Sequence, residues 1–309
     1  MRRRSTPIEY LQYLAVAAIT AAGNRPESPT QTTSKETTMT VLITGATGNI
    51  GRPMAELLAE RGYAVKGLTR TPDTADLPDP VTAVGGDLSD LTSLEAALDG
   101  ITHLHLITFT GHYEPLEHPD QILDLATKAG VQQISVLQGG YEGPVEEAVR
   151  ASGIPWVTIV PVEFMSNTLE WADSIKSEGI VSEGFPEVRS TVVHEHDVAA
   201  VTAAALTDPS YRGETLTVTG PEALTPKERV DILAAAIDRP VEFKALTREE
   251  VLQAWKAEGY TEDDIDYFLA IRQNPPEISY TVLDTVRRVT GTKPHTFEDW
   301  ARENKAHFI

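Results

Sequence analysis

Residues 44–51 read TGATGNIG and follow directly on the apolar run Val41-Leu42-Ile43. That run is short, bounded and partly β-branched, which predicts a buried strand. From Asn49 to Arg61 apolar residues recur at Ile50, Met54, Leu57 and Leu58, a helical spacing that stops at Gly62. Gly45, Gly48 and Gly51 therefore fall in a turn that leads from a strand into a helix. The start of a helix presents unpaired backbone N–H groups and the positive end of the helix dipole, a seat for an anion. Gly45 permits the tight turn, Gly48 lets the backbone come close, and Gly51 lets the helix lie against the strand; the anion that fits is a dinucleotide pyrophosphate. Thr47, Asn49 and Ile50 complete the loop and are counted with the glycines as cofactor-binding candidates.

The same rhythm continues. Strands are expected at Ala64–Thr69, Val81–Val84, Leu104–Ile107, Gln133–Leu137 and Trp156–Val160, and helices at Leu91–Leu98, Asp120–Ala129 and Val145–Ala151. Alternation at this pace predicts an α/β fold, a doubly wound parallel sheet of the Rossmann type covered on both faces. After Pro161 the rhythm loosens: an Ala-rich helix over Asp197–Leu206 with Asp197 as N-cap, a strand over Thr215–Val218, a helix opened by Thr225 and Pro226, and then mostly helix and loop. The expected division is a disordered leader (1–38), a nucleotide-binding core (39–160) and a mixed C-terminal part (161–309) that completes the sheet and covers a substrate pocket. Arg2 to Arg4 followed by the apolar stretch Leu14–Ala22 has the outline of a signal peptide, but the stretch is too short to span a bilayer, and Met39 stands just before the first strand. Folding is expected to start at Met39, in a cytoplasmic protein.

The 309 residues carry 46 acidic and 26 basic side chains, a net charge of −20, and no cysteine. That balance argues against nucleic acid or an anionic membrane as partner, and the missing cysteine removes disulfides and thiolate chemistry. A small molecule is the expected partner. His194 and His196 flank Glu195 ahead of Asp197, but without a third compact ligand no metal site is expected there. His103 and His105 alternate along the fourth strand and are assigned to packing.

The second strand ends Leu68-Thr69-Arg70, where an NAD enzyme would place an acid on the ribose. Arg70 suits a 2′-phosphate instead, so NADP(H) is the expected cofactor. Asp87 and Leu88, after the third strand, suit the adenine amino group and ring, and Thr108, after the fourth, is a further cofactor contact.

With TGATGNIG, LTR, GDLSD, ASGIPWVTIVPVEFMSN, HEHDVAAV and GTKPHTFEDWARENKAHF on the page, the chain resembles the NmrA-like atypical short-chain dehydrogenase/reductases from Met39 to Phe308. The resemblance implies an NADP-binding Rossmann domain with Pro161 and Val162 near the nicotinamide and Phe164, Met165 and Asn167 lining the substrate entrance. Val160 departs from the arginine usual before that proline.

Most reductases of this superfamily pair a Tyr-x-x-x-Lys with a Ser at the tip of the fifth strand, so that a phenol donates a proton to the nascent alkoxide. Here none of the nine tyrosines is followed by lysine four positions on, and the fifth strand ends Leu137-Gln138-Gly139. Tyr141, Gln138 and His194 are the residual catalytic candidates, and Trp171, Phe185 and Tyr267 candidates for an aromatic pocket. An intact cofactor loop beside a missing acid fits an NADPH-dependent reductase whose acceptor supplies its own proton, such as an aromatic polyketide ketone, or a quinone. A non-catalytic NADP(H) sensor fits the same residues.

Overall fold

Val41, Leu42 and Ile43 have no solvent exposure, because the strand they form is the middle of a sheet covered on both faces. The structure, a computed structural model, describes residues 39–109, 115–139 and 142–309, without the side chains of Asp263, Asp264, Tyr267 and Ile271. The expected leader, Tyr141 and the Tyr267 side chain lie outside the described residues. The sheet contains β1 (Thr40–Ile43), β2 (Ala64–Thr69), β3 (Thr82–Gly85), β4 (His103–Ile107), β5 (Gln133–Leu137), β6 (Trp156–Pro161) and β8 (Glu214–Val218). All neighbours are parallel, in the order β3-β2-β1-β4-β5-β6-β8. The order reverses between β1 and β4, the switch point outside which doubly wound sheets bind their ligands.

Strand alternation sorts the core into two faces. Val41 and Ile43 join Met54 and Leu58 of α1 (Gly51–Glu60) and Val198 and Val201 of α6 (Glu195–Thr207). On the other face Leu42, Leu104, Leu106, Ile134 and Val136 pack with α2 (Leu91–Ala97), α3 (Pro119–Ala129) and α4 (Pro144–Ala151).

The C-terminal part does more than the helix-and-loop expectation allowed. Short β7 (Ile180–Glu183) and β9 (Glu242–Ala245) pair in parallel as a separate two-stranded sheet. Four-residue strands with mixed polarity carry too little periodicity to be seen in sequence. The same part contains α5 (Ala172–Glu178), α7 (Pro226–Ala236), α8 (Arg248–Glu258), α9 (Glu262–Gln273), α10 (Thr285–Thr290), which packs on α6 and β8 of the main sheet, and α11 (Phe297–Asn304). Thr225 caps α7 as expected, in a reciprocal box with Glu228. Asp197 does not cap α6. The helix begins two residues earlier, and the His194 ring accepts from the His196 N–H in the capping position. Asp197 is instead held in the first turn by His295, which donates from its backbone N–H (2.7 Å) and pairs through Nδ1 (2.6 Å).

Candidate active site

The turn after β1 is shaped to the demands of a bound diphosphate. Gly45 sits at φ +64°, where a side chain would be strained. Its carbonyl accepts from the Gly48 N–H (2.9 Å), which closes the turn. A Cβ on Gly51 would overlap the Gly45 carbonyl oxygen and stand 2.8 Å from Ala46 Cα. Thr44 locks the turn to the switch point, donating its hydroxyl to the His105 carbonyl and accepting from the Ile107 N–H, both at 2.9 Å. No side chain caps α1 at Ile50, and its first turn contains no acid. The backbone amides there thus face no competing anion, and Thr47, Gly48 and Asn49 are exposed while Ile50 anchors the helix in the core. This is a cradle that a Cβ would fill, and it fits a nucleotide diphosphate.

Around it, Arg70 lies exposed just past β2. Asp87 turns the chain before α2, its Oδ1 accepting from the Ser89 N–H (2.9 Å) and hydroxyl (2.7 Å), and Leu88 is buried behind it. Thr108 is buried beyond β4, its hydroxyl 3.5 Å from the Leu137 carbonyl.

At the tip of β5, Gln138 is buried and donates its backbone N–H to Ile159 (2.9 Å). Next to it, a Cβ on Gly139 would overlap the Phe109 ring, with Cδ2 at 2.9 Å. The tip of β5 is thus roofed by an aromatic ring. Pro161, the last residue of β6, and Val162 are buried, and beyond them the chain is steered by bonds to the strand-like segment before α6: Val193 N–H to Glu163 carbonyl (2.7 Å) and Met165 N–H to Val193 carbonyl (3.0 Å). Glu195 fixes the next residue by accepting from the Ser166 N–H (2.8 Å). Phe164 packs into the central core and Met165 into the C-terminal core, while Asn167 is half-buried.

Residues 45–145 match a family model described as NAD(P)H-binding. A reductase from Streptomyces griseus, (4-alkanoyl-5-oxo-2,5-dihydrofuran-3-yl)methyl phosphate reductase, is 34% identical over 284 residues, covering 87% of this chain and 99% of that protein. The chain belongs to the same family of NAD(P)H-binding reductases as that protein. NAD(P)H azoreductase from Xenophilus azovorans is 32% identical over 295 residues, covering 87% of this chain and 99% of its own. Among solved structures, an Escherichia coli NADPH-dependent quinone oxidoreductase superposes with a TM-score of 0.69 at 20% identity, covering 85% of this chain and 98% of that one. Citrobacter sp. triphenylmethane reductase in complex with NADP(H) gives 0.69 at 18% identity, with 86% and 100% covered. The protein is accordingly an NAD(P)H-dependent oxidoreductase.

Two features of this atypical reductase escaped sequence reasoning. Glu163, one residue past Val162, is fully buried and takes the Nη1 of buried Arg229 at 3.1 Å. Burial alone would raise the Glu163 carboxyl, but the Arg229 and Arg272 guanidiniums and the adjacent Ser190 outweigh it and hold it below the ordinary carboxylate range. Arg229 also lies over Trp171, 5.3 Å from the ring centroid. The other is His295. With His196 and Asp197 it brings potential metal-ligand atoms within 4.8 Å of one another, although both Asp197 oxygens already serve His295. His194, whose Nδ1 accepts the His196 N–H and caps α6, offers Nε2–H to Glu303 at 3.1 Å and so ties α6 to α11; both ring nitrogens are committed. No helix among the described residues is long and apolar enough to cross a membrane.

Proposed function

We propose that this protein reduces an electron-poor conjugated acceptor, an aromatic ketone or quinone-like metabolite, with NADPH, and that the acceptor rather than a protein acid absorbs the negative charge. The observation that carries the reading is the intact glycine cradle beside a β5 tip where Gly139 lies under Phe109 and no Tyr-x-x-x-Lys follows. A positioned general acid is worth about 10²–10⁴ in rate. An acceptor whose adduct is a phenolate or other delocalised anion needs that help least. A carbonyl beside a phenolic hydroxyl is a second case, since the hydroxyl is an internal proton donor. When bound, the reduced nicotinamide supplies the hydride. The chain's own contribution is alignment: the β1–α1 turn seats the diphosphate, Arg70 favours the 2′-phosphate, and the buried Pro161–Val162 segment gives the acceptor a wall that excludes water. The acceptors named for its relatives, an azo compound, an acylated oxo-dihydrofuran, a quinone and a triphenylmethane dye, support this choice, because each is a conjugated system able to spread charge.

The test is NADPH oxidation by the purified protein against a panel of quinones, 1-hydroxyanthraquinone-type ketones and simple aliphatic ketones. The conjugated compounds should be reduced and the aliphatic ones spared. Cofactor binding without turnover on any compound would contradict the reading and favour a sensor.

A further inference from the structure

Three imidazoles gather where α6 begins. The His295 ring lies 4.7 Å from that of His194 and 5.5 Å from that of His196, centroid to centroid. His194 is fully used, by the His196 N–H on one side and by Glu303 on the other. The other two rings are not. His196 is exposed, and its ring nitrogens have no hydrogen-bond partner among the described residues. His295, half-buried, meets Asp197 through Nδ1 at 2.6 Å. A carboxylate only accepts, so in the neutral ring the proton sits on Nδ1 and the lone pair of Nε2 is left over. A carboxylate that takes one nitrogen of a histidine and frees the other is how proteins orient a metal-bound imidazole. Asp197 is well placed for that part. It is buried, and its second oxygen accepts from the His295 backbone N–H (2.7 Å), so the ring is set before any ion arrives.

The geometry points to a metal site: we propose that His196 and His295 bind one divalent transition-metal ion of the zinc class, with Asp197 orienting His295 and solvent completing the coordination. The sequence shows His194-Glu195-His196 without a third compact ligand; the fold brings one in as His295. A ring nitrogen of His196, one of His295 and a carboxylate oxygen of Asp197 lie within 4.8 Å of one another. Two nitrogens bound to one tetrahedral zinc at about 2.0–2.1 Å stand about 3.3 Å apart. Closing that gap falls to the His196 ring, which no hydrogen bond holds. Asp197 and Glu303 both bring negative charge to bear on His196, which offsets the charge of the ion. Imidazole donors suit zinc-like ions, whereas Mg²⁺ and Ca²⁺ take oxygens. The two ligands come from the first turn of α6 and from the segment just before α11, so the ion staples one to the other. The same stretch of chain steers the residues beyond β6, through Val193 and Glu195. The role is structural, and the inference does not rest on the proposed reductase activity.

Metal titration of the full chain, free of any polyhistidine tag and stripped with EDTA, tests the site. Zn²⁺ should bind one to one by calorimetry, Co²⁺ should give the intense visible bands of a four-coordinate site, and Mg²⁺ should give no heat. Zn²⁺ at a hundredfold excess over its Kd should raise Tm by about 5 °C or more. His196→Gln should weaken Zn²⁺ by more than the about 10–100-fold that loss of an outer partner costs, and should abolish the Tm gain. Its metal-free Tm should match the wild type, because the exposed ring makes no hydrogen bond. His295→Gln should also abolish binding, and it should lower the metal-free Tm because it unties Asp197. His118→Asn, an exposed histidine before α3, is the control and should change neither quantity. Failure to bind Zn²⁺ one to one, or wild-type affinity in His196→Gln, overturns the site. A loss shared equally by His118→Asn overturns it too, since that marks adventitious binding to surface histidines.

Discussion

At the nucleotide end, eight consecutive residues, 44–51, supply the cradle from their backbone; beyond β6, Glu163 meets Arg229 from 66 residues away. The first region depends on what is missing, the Cβ atoms of Gly45, Gly48 and Gly51. The second depends on side chains and on the balance of their charges. A backbone site is hard to alter without breaking the turn, so the cofactor stays constant. A side-chain pair that joins the segment after β6 to α7 can exchange one charge for another while the sheet beneath is untouched.

The strongest way to break the comparison is at the Glu163–Arg229 pair. Glu163→Gln leaves Arg229 buried and uncompensated, and should cost about 3–5 kcal/mol of stability in denaturant unfolding. The double variant Glu163→Gln/Arg229→Met should regain most of it. If the single variant costs nothing, the pair is not the charged core described.

The sheet beneath both ends responds to pH. Burial holds the His105 imidazole down to about 4 from 6.5, and burial with the charge of Arg212 does the same for His103. The unfolded chain therefore binds protons that the folded one refuses. Stability from these groups is fully present above pH 6.5 and is lost as pH falls from 6.5 towards 4, by about 3 kcal/mol for each histidine. Unfolding curves from pH 7.5 to 4.5 should show this decline, and His105→Phe should flatten it. A pH-independent stability over that range would contradict the buried neutral histidines.

At the nucleotide end the effects are local. Gly51→Ala forces α1 away from the Gly45 carbonyl and should weaken NADPH binding about 100-fold, read by fluorescence titration. Smaller still, Arg70→Asp should shift the kcat/KM preference from NADPH towards NADH by about tenfold, the loss of one charge-assisted contact. An unchanged preference would remove Arg70 from phosphate recognition.

The same contrast decides what was legible in the sequence. The glycine loop, the alternation of elements and the parallel sheet were readable because each rests on neighbours in the chain or on a repeating period. The Thr225 cap was readable for the same reason. The α6 cap was misassigned because Asp ranks high and His low as a capping residue, whereas here His295, 98 residues away, claims Asp197. Glu163, Arg229 and Arg272 carry no local signal at all. A buried acid two residues past a strand end looks like any loop acid until its partner is seen. The β5 tip Leu137-Gln138-Gly139 showed no serine, but that Phe109 occupies the space a side chain on Gly139 would need is visible only in three dimensions.

The central claim is that no protein acid delivers a proton during hydride transfer. Single-turnover oxidation of bound NADPH by a quinone, followed between pH 6 and 9 in the wild type and in Tyr141→Phe, tests it most directly. The account predicts a rate that is flat with pH and changed by less than about threefold in the variant, against the 10²–10⁴ of a true general acid. A titrating rate that Tyr141→Phe abolishes, with a loss of about 100-fold or more, would contradict it.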